Sequence, residues 1–199
     1  DDIARLKARI EGNGVTLIDP PPGFESNGFW FRNHEGLLIE VKVAPKVSPD
    51  RKAESQWVSV GPGVAGAGVR AKAPPVRPRR LSHVLTFTRD VPASVEFYER
   101  NLGLRLSDKA SDLVAFMHGI HGSDHHLLAL VKSSAPGFHH CSWDTASIND
   151  IGLGAMRMHD KGYQKGWGLG RHVLGSNYFH YVQDPWGSFA EYSCDIDYI

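Results

Sequence analysis

The chain repeats itself. Phe29-Trp30-Phe31, followed by Gly36 and Glu40, returns as Phe179-His180-Tyr181, followed by Gly187 and Glu191, with one residue added. A longer order recurs as well. From Leu81 the pattern predicts an alternating strand over Ser82 to Thr88, then a helix capped near Asp90 with Pro92 in its first turn. That helix ends at Asn101-Leu102-Gly103, and strands follow over Leu113 to His118 and His126 to Val131. The order restarts at Phe138 with a strand and a helix from about Ser147 to Lys161. Strands near Val173, over Asn177 to Val182 and over Phe189 to Cys194 complete it. Self-similarity at this length implies a fold assembled from copies of one supersecondary unit, here βαβββ, and so an α+β protein.

The first 43 residues carry only part of such a unit. Ile3, Leu6 and Ile10 recur at helical spacing until Gly12-Asn13-Gly14 stops the helix. A strand over Val15 to Ile18 follows, then a hairpin marked by Phe29, Phe31, Leu37, Ile39 and Val41 and joined through Asn33-His34-Glu35-Gly36. Between about Ala44 and Arg80 the composition shifts to Pro, Gly, Ala and basic residues, which reads as a linker, partly ordered around Trp57-Val58. Its run Arg77-Pro78-Arg79-Arg80 is expected to be a solvated tether. The organisation is therefore a partial module over 1–43, a linker over 44–80 and two complete modules over 81–199. The chain opens Asp1-Asp2 with a helix already under way and ends at Ile199 soon after Glu191, so a longer natural protein is expected.

Composition narrows the function classes. The 22 basic and 22 acidic residues cancel, which removes the footprint of a protein that grips nucleic acid by its phosphates. Two cysteines, Cys141 and Cys194, supply neither a disulfide framework nor a four-thiolate zinc cage, and point to a reducing, cytoplasmic setting. No long apolar run suggests a membrane span, and the N-terminus lacks the parts of a signal peptide. A small-molecule partner is expected.

Three side chains suggest what meets it. His83 and His140 open the first strands of the two complete modules, and Glu191 lies on the last strand of the second. Residues two apart on a strand share a face, so His83 points with Leu85 and Phe87, and Glu191 with Phe189 and Ser193. Two paired modules can then bring the three together inside a curved sheet. Two neutral imidazoles and one carboxylate form the facial set associated with non-haem Fe(II), leaving three coordination positions open. With eleven histidines in the chain, trios arise by chance, and the equivalent module positions single out this one.

The surrounding motifs carry a resemblance. Leu81-Ser82-His83-Val84, Ser94-Val95-Glu96-Phe97-Tyr98 and Leu102-Gly103-Leu104 resemble the vicinal oxygen chelate superfamily, whose βαβββ modules pair into a curved mixed sheet around a metal site. Phe138-His139-His140-Cys141-Ser142-Trp143, Gly170-Arg171-His172 and Tyr181 to Glu191, with Asp184-Pro185-Trp186-Gly187, are similar to the type I extradiol catechol dioxygenases. The match covers 81–199 well and 1–43 loosely. It implies that His83, His140 and Glu191 hold Fe(II), with Mn(II) possible on the same ligands. It also implies that His126, before Leu127-Leu128-Ala129-Leu130, lies near the dioxygen, with His125 the adjacent alternative, and that His172 and Tyr181 meet the diol oxygens.

The activity so implied is opening of an aromatic diol by O2 next to its hydroxyls, in a homo-oligomer. Two other readings of the fold are a binding or resistance protein without turnover, and a glyoxalase-like or epoxide-opening metalloenzyme. His139, His118, His121, His159 and His180 are expected to be structural or exposed. Tyr178, Tyr192 and the tryptophans at 143, 167 and 186 are expected in the core or pocket wall. Nothing in the sequence selects one diol, since a ring substituent changes pocket affinity by only about 1–3 kcal/mol.

Overall fold

A computed structural model describes residues 2–24, 27–54, 56, 59–66, 70–120 and 122–199. The order expected around Trp57-Val58, and the placement of His121, lie outside the described residues.

Each complete module begins with a strand and a capped helix. In the first, β4 (Arg80–Thr88) leads to α2 (Val91–Leu102). The Asp90 carboxylate accepts from the Ala93 amide at 2.9 Å, which satisfies one of the donors left open at a helix start. Pro92 has no amide hydrogen to lose there, and Gly103 ends the helix at φ 72°. Strands β5 (Arg105–Ala110), β6 (Val114–His118) and β7 (Leu128–Lys132) complete the unit. The second repeats it with β8 (Gly137–Asp144), α3 (Ile148–Asp160) capped by Ser147, β9 (Gly166–Arg171), β10 (Tyr178–Gln183) and β11 (Phe189–Cys194).

The eight strands form one curved mixed sheet in the order β5-β6-β7-β4-β8-β11-β10-β9. In each module the opening strand runs parallel to the last, β4 to β7 and β8 to β11. The two opening strands pair antiparallel at the centre. The halves are thus related by an approximate two-fold axis through the β4 and β8 seam, and equivalent residues near it face one another. This is why His83 and His140 end up close.

Core packing lies beneath the helices. Val91 and Tyr98 of α2 pack on Ala115, Met117, Leu128 and Leu130. The N-terminal piece, α1 (Asp2–Gly12) with a small sheet of β1 (Leu17–Ile18), β2 (Phe29–Arg32) and β3 (Leu38–Val41), packs on the outer side of α2. Ile10, Phe29 and Phe31 meet Phe97 and Leu102 there. The Arg9 guanidinium donates to the carbonyls of Glu99 and Arg100 at the C-terminal end of α2.

Four sequence expectations change. Strand β5 carries no apolar alternation, because it is an edge strand with polar residues on both faces. The strand expected near Val173 is β9, several residues earlier, and Val173 itself is 93% exposed on the following loop. Gly166, Gly168 and Gly170 hide β9 from periodicity. They are needed because a Cβ at Gly170 would stand 2.5 Å from the Phe179 ring. Strand β7 starts at Leu128, so His125 and His126 precede it and are both buried, and strand alternation does not separate them. Arg79 and Arg80 are no tether. The Arg80 side chain, on β4, is buried with its guanidinium 2.6 Å from Asp124, and Arg79 Nε donates to Asp144 at 3.0 Å. Two buried carboxylates require cationic partners, and the end of the basic run supplies them.

Candidate metal centre

The site is a row across the sheet. His83 on β4 stands opposite Ser142 on β8, Ser142 opposite Glu191 on β11, and Glu191 opposite Tyr181 on β10. Directly paired residues point to the same face, and His140, two residues before Ser142, joins them. Short Ser142, hydrogen-bonded to Ser193 at 2.8 Å, leaves the space beneath the longer side chains.

One ligand atom from each of His83, His140 and Glu191 lies within 4.8 Å of the other two. Glu191 Oε2 is 3.1 Å from His83 Nε2 and 3.4 Å from His140 Nε2. All three residues are buried, yet Oε2 of Glu191 and Nε2 of His140 have no hydrogen-bond partner. Buried polar atoms rarely stay unpaired, and two converging lone pairs are a donor set that suits a cation. Burial alone would raise the Glu191 carboxyl, but the imidazoles of His83, His140 and His172 around it outweigh that and hold it well below the carboxylate range. Burial pushes His140 below its ordinary value, which favours the neutral, ligating imidazole.

Neighbouring groups fix these ligands. His139 and His140 meet through their Nδ1 atoms at 2.7 Å, which leaves Nε2 of His140 free for the centre. Ser82 Oγ lies 3.3 Å from His83 Nδ1, and Asn177 Nδ2 donates to Glu191 Oε1 at 3.3 Å. His172, on the loop after β9, stacks on Phe179 and brings Nε2 to 3.0 Å from the Tyr181 hydroxyl and 3.7 Å from Glu191 Oε1. Burial, reinforced by the Glu191 charge, pushes the Tyr181 phenol far up, so it stays a proton donor. Trp167 stacks on the Tyr181 ring at 4.4 Å and holds it in place.

A cavity of about 280 Å³ opens onto the cluster. His83, His126, His140, His172 and Tyr181 give it its polar atoms, and Leu85, Phe116, Val173 and Leu174 line the rest. The structure therefore gathers all six residues singled out in the sequence, His83, His126, His140, His172, Tyr181 and Glu191. His125 is turned away from the cavity toward Asp108.

Sequence reading missed His139 and Asn177. The His-His pair was the available signal for His139, whereas Asn177 had none. Trp186 is 87% exposed, on the Asp184 to Gly187 turn, and so is neither core nor pocket wall. Glu40, the counterpart of Glu191 in the N-terminal piece, instead pairs with Lys42 at 2.9 Å.

Comparison with known proteins follows the same lines. Metapyrocatechase 2 of Cupriavidus necator is 52% identical over 198 residues, covering 100% of this chain and 62% of that protein. Among solved structures, the Mn(II)-bound glyoxalase of Novosphingobium aromaticivorans matches at a TM-score of 0.74 and 28% identity, over 100% of this chain and 60% of that one. The 2,3-dioxygenase LapB of Pseudomonas sp. KL28 matches at 0.71 and 20% identity, over 99% of this chain and 68% of that one. The chain thus spans about three fifths of the length of the first two. The Glyoxalase/Bleomycin resistance protein/Dioxygenase superfamily profile matches residues 80–192, the span of the two paired modules, and the chain belongs to that superfamily.

Proposed function

We propose that this chain is the catalytic part of an extradiol dioxygenase, which opens a catechol-type diol with O2 at an Fe(II) ion held by His83, His140 and Glu191. The observation that carries the reading is the convergence of two imidazoles and a carboxylate, with orphaned buried lone pairs, at the floor of an aromatic-lined cavity. When bound, the ion supplies open coordination positions and redox chemistry that joins a diol to O2.

The protein's own groups do the rest. The Tyr181 phenol, kept protonated, donates to a diol oxygen, and His172 Nε2 beside it helps hold that oxygen in place. Burial holds His126 well below its ordinary value, so its neutral ring can take a proton from the reacting groups and return it. Leu85, Phe116 and Leu174 pack an apolar ring and exclude water. The similarity to metapyrocatechase 2 supports the same reaction class.

Several finer assignments belong to the proposal. Residues 1–43 are part of another βαβββ module joined by the 44–80 segment, the protein works as a homo-oligomer, and its setting is the reducing cytoplasm that suits the free Cys141 and Cys194. Among the described residues no helix is long and apolar enough to cross a membrane.

A second reading, a Mn(II) enzyme of glyoxalase type, draws on the likeness to the Novosphingobium structure. One experiment separates them. The chain, loaded anaerobically with Fe(II) and then given a panel of catechols under 18O2, should form yellow ring-opened products carrying both labelled atoms. Product without label, or no uptake of O2 with any catechol, would remove the dioxygenase reading.

A further inference from the structure

We infer that Asp108 and His125 form a positioning pair that fixes which nitrogen of His126 carries the proton, leaving the cavity-side Nε2 as an acceptor. The two histidines meet through their Nδ1 atoms at 3.0 Å, so one of the two must donate to the other. The far nitrogen of His125, Nε2, lies 3.7 Å from Asp108 Oδ2, in the range of an ion pair rather than a direct hydrogen bond. A lone pair aimed at a carboxylate is repelled, whereas an N–H is attracted, so the proton of His125 resides on Nε2. Nδ1 of His125 is then the acceptor, and His126 supplies the hydrogen from its own Nδ1. What remains on His126 is the lone pair on Nε2.

The packing shows a built arrangement. The backbone amide of His125 donates to the Asp197 carbonyl at 2.7 Å, and its carbonyl accepts from Ser107 Oγ. The His126 ring rests on Phe116 at 4.9 Å and on His83 at 4.2 Å. Gly175, at φ +85°, closes over the pair, where a Cβ would stand 3.1 Å from His125 Nδ1 and 3.2 Å from His126 Cε1. At 3.0 Å the two Nδ1 atoms have room for one hydrogen between them, so one of these nitrogens bears the proton and the other a lone pair. Asp108 itself is 45% exposed on the edge strand, within reach of solvent.

The consequence for the reaction rests on the dioxygenase reading, while the tautomer does not. With Nε2 unprotonated, His126 takes a proton from the substrate before it can deliver one. With the opposite tautomer it could only donate. His125 and Asp108 do not line the cavity and act through His126.

The test uses the metal-free 199-residue chain with 15N-labelled histidine. Two-bond proton–nitrogen correlations report the tautomer of each ring, and His126→Gln identifies the signal. The expected result is an Nδ1–H ring at His126, a shift toward Nε2–H in Asp108→Ala and His125→Phe, and the original form in Asp108→Glu. Asp108 is half-exposed, so its variants should fold even if His125→Phe does not. In Fe(II)-loaded protein, Asp108→Ala should lower kcat about tenfold with KM nearly unchanged, as loss of a ring-orienting partner does elsewhere. An Nε2–H ring in the unsubstituted chain, or one tautomer in all variants, would overturn the inference. Expected tautomers in a chain that opens no diol would uphold it and sink the dioxygenase reading alone.

Discussion

Two kinds of residue surround the cavity, and substitution should separate them. Glu191 and His140 hold unpaired atoms toward one point that His83 also faces, whereas Tyr181 and His172 hydrogen-bond each other at 3.0 Å and face the space a substrate would fill. Tyr181→Phe removes one hydroxyl from a ring already packed on Trp167, so the fold and the metal should survive. Turnover should fall about 10²-fold, as loss of one preorganised donor generally costs about 10²–10³-fold. His172→Phe should behave likewise. Metal content and steady-state kinetics on both variants check this, and unchanged turnover in both would contradict the roles. Much of this was legible at the residue level because the motifs around His83, His140 and Tyr181 to Glu191 are local in sequence. Asn177 was not, since its role exists only where the loop after β9 folds back on Glu191.

Elements that announced themselves did so through caps and alternation. The helices α2 and α3 stand close to the expected positions because Asp90, Gly103 and Ser147 mark their ends chemically. Strands β5 and β9 lie at the two edges of the sheet, where no apolar face has to be buried on both sides, so periodicity is silent. The contact of α3 with β11 is a packing feature no pattern reveals. Gly154 lies against Tyr192, and a Cβ there would stand 2.5 Å from the ring. Gly154→Ala should therefore destabilise the protein by about 1–3 kcal/mol despite the better helix propensity of alanine, because overpacking dominates. Denaturant unfolding of this variant, with Gly152→Ala, where a Cβ would meet nothing within 4 Å, as the control that gains or keeps stability, checks the sign.

Across the whole molecule, duplication explains how so short a chain assembles a centre from distant residues. The approximate two-fold seam sets β4 against β8, so the first strand of each module contributes one imidazole, and only the second module contributes the carboxylate. The corresponding acid of the N-terminal piece, Glu40, pairs with Lys42 on a separate sheet. Repetition in the sequence made the order of strands and helices visible, but it could not reveal that Arg80 pairs with Asp124, since a basic run after a stretch rich in Pro and Gly reads as solvated until its buried partners are placed. The central claim is that these three side chains hold one metal ion. Anaerobic iron analysis of the Fe(II)-treated chain, with Glu191→Ala and Glu40→Ala compared at equal folded content by circular dichroism, tests it most directly. The account predicts about one iron per chain in the unsubstituted protein and in Glu40→Ala, with little in Glu191→Ala, since loss of a ligand weakens a three-residue site at least as much as the 10–100-fold cost of losing a supporting group. Equal iron in the two variants would contradict it.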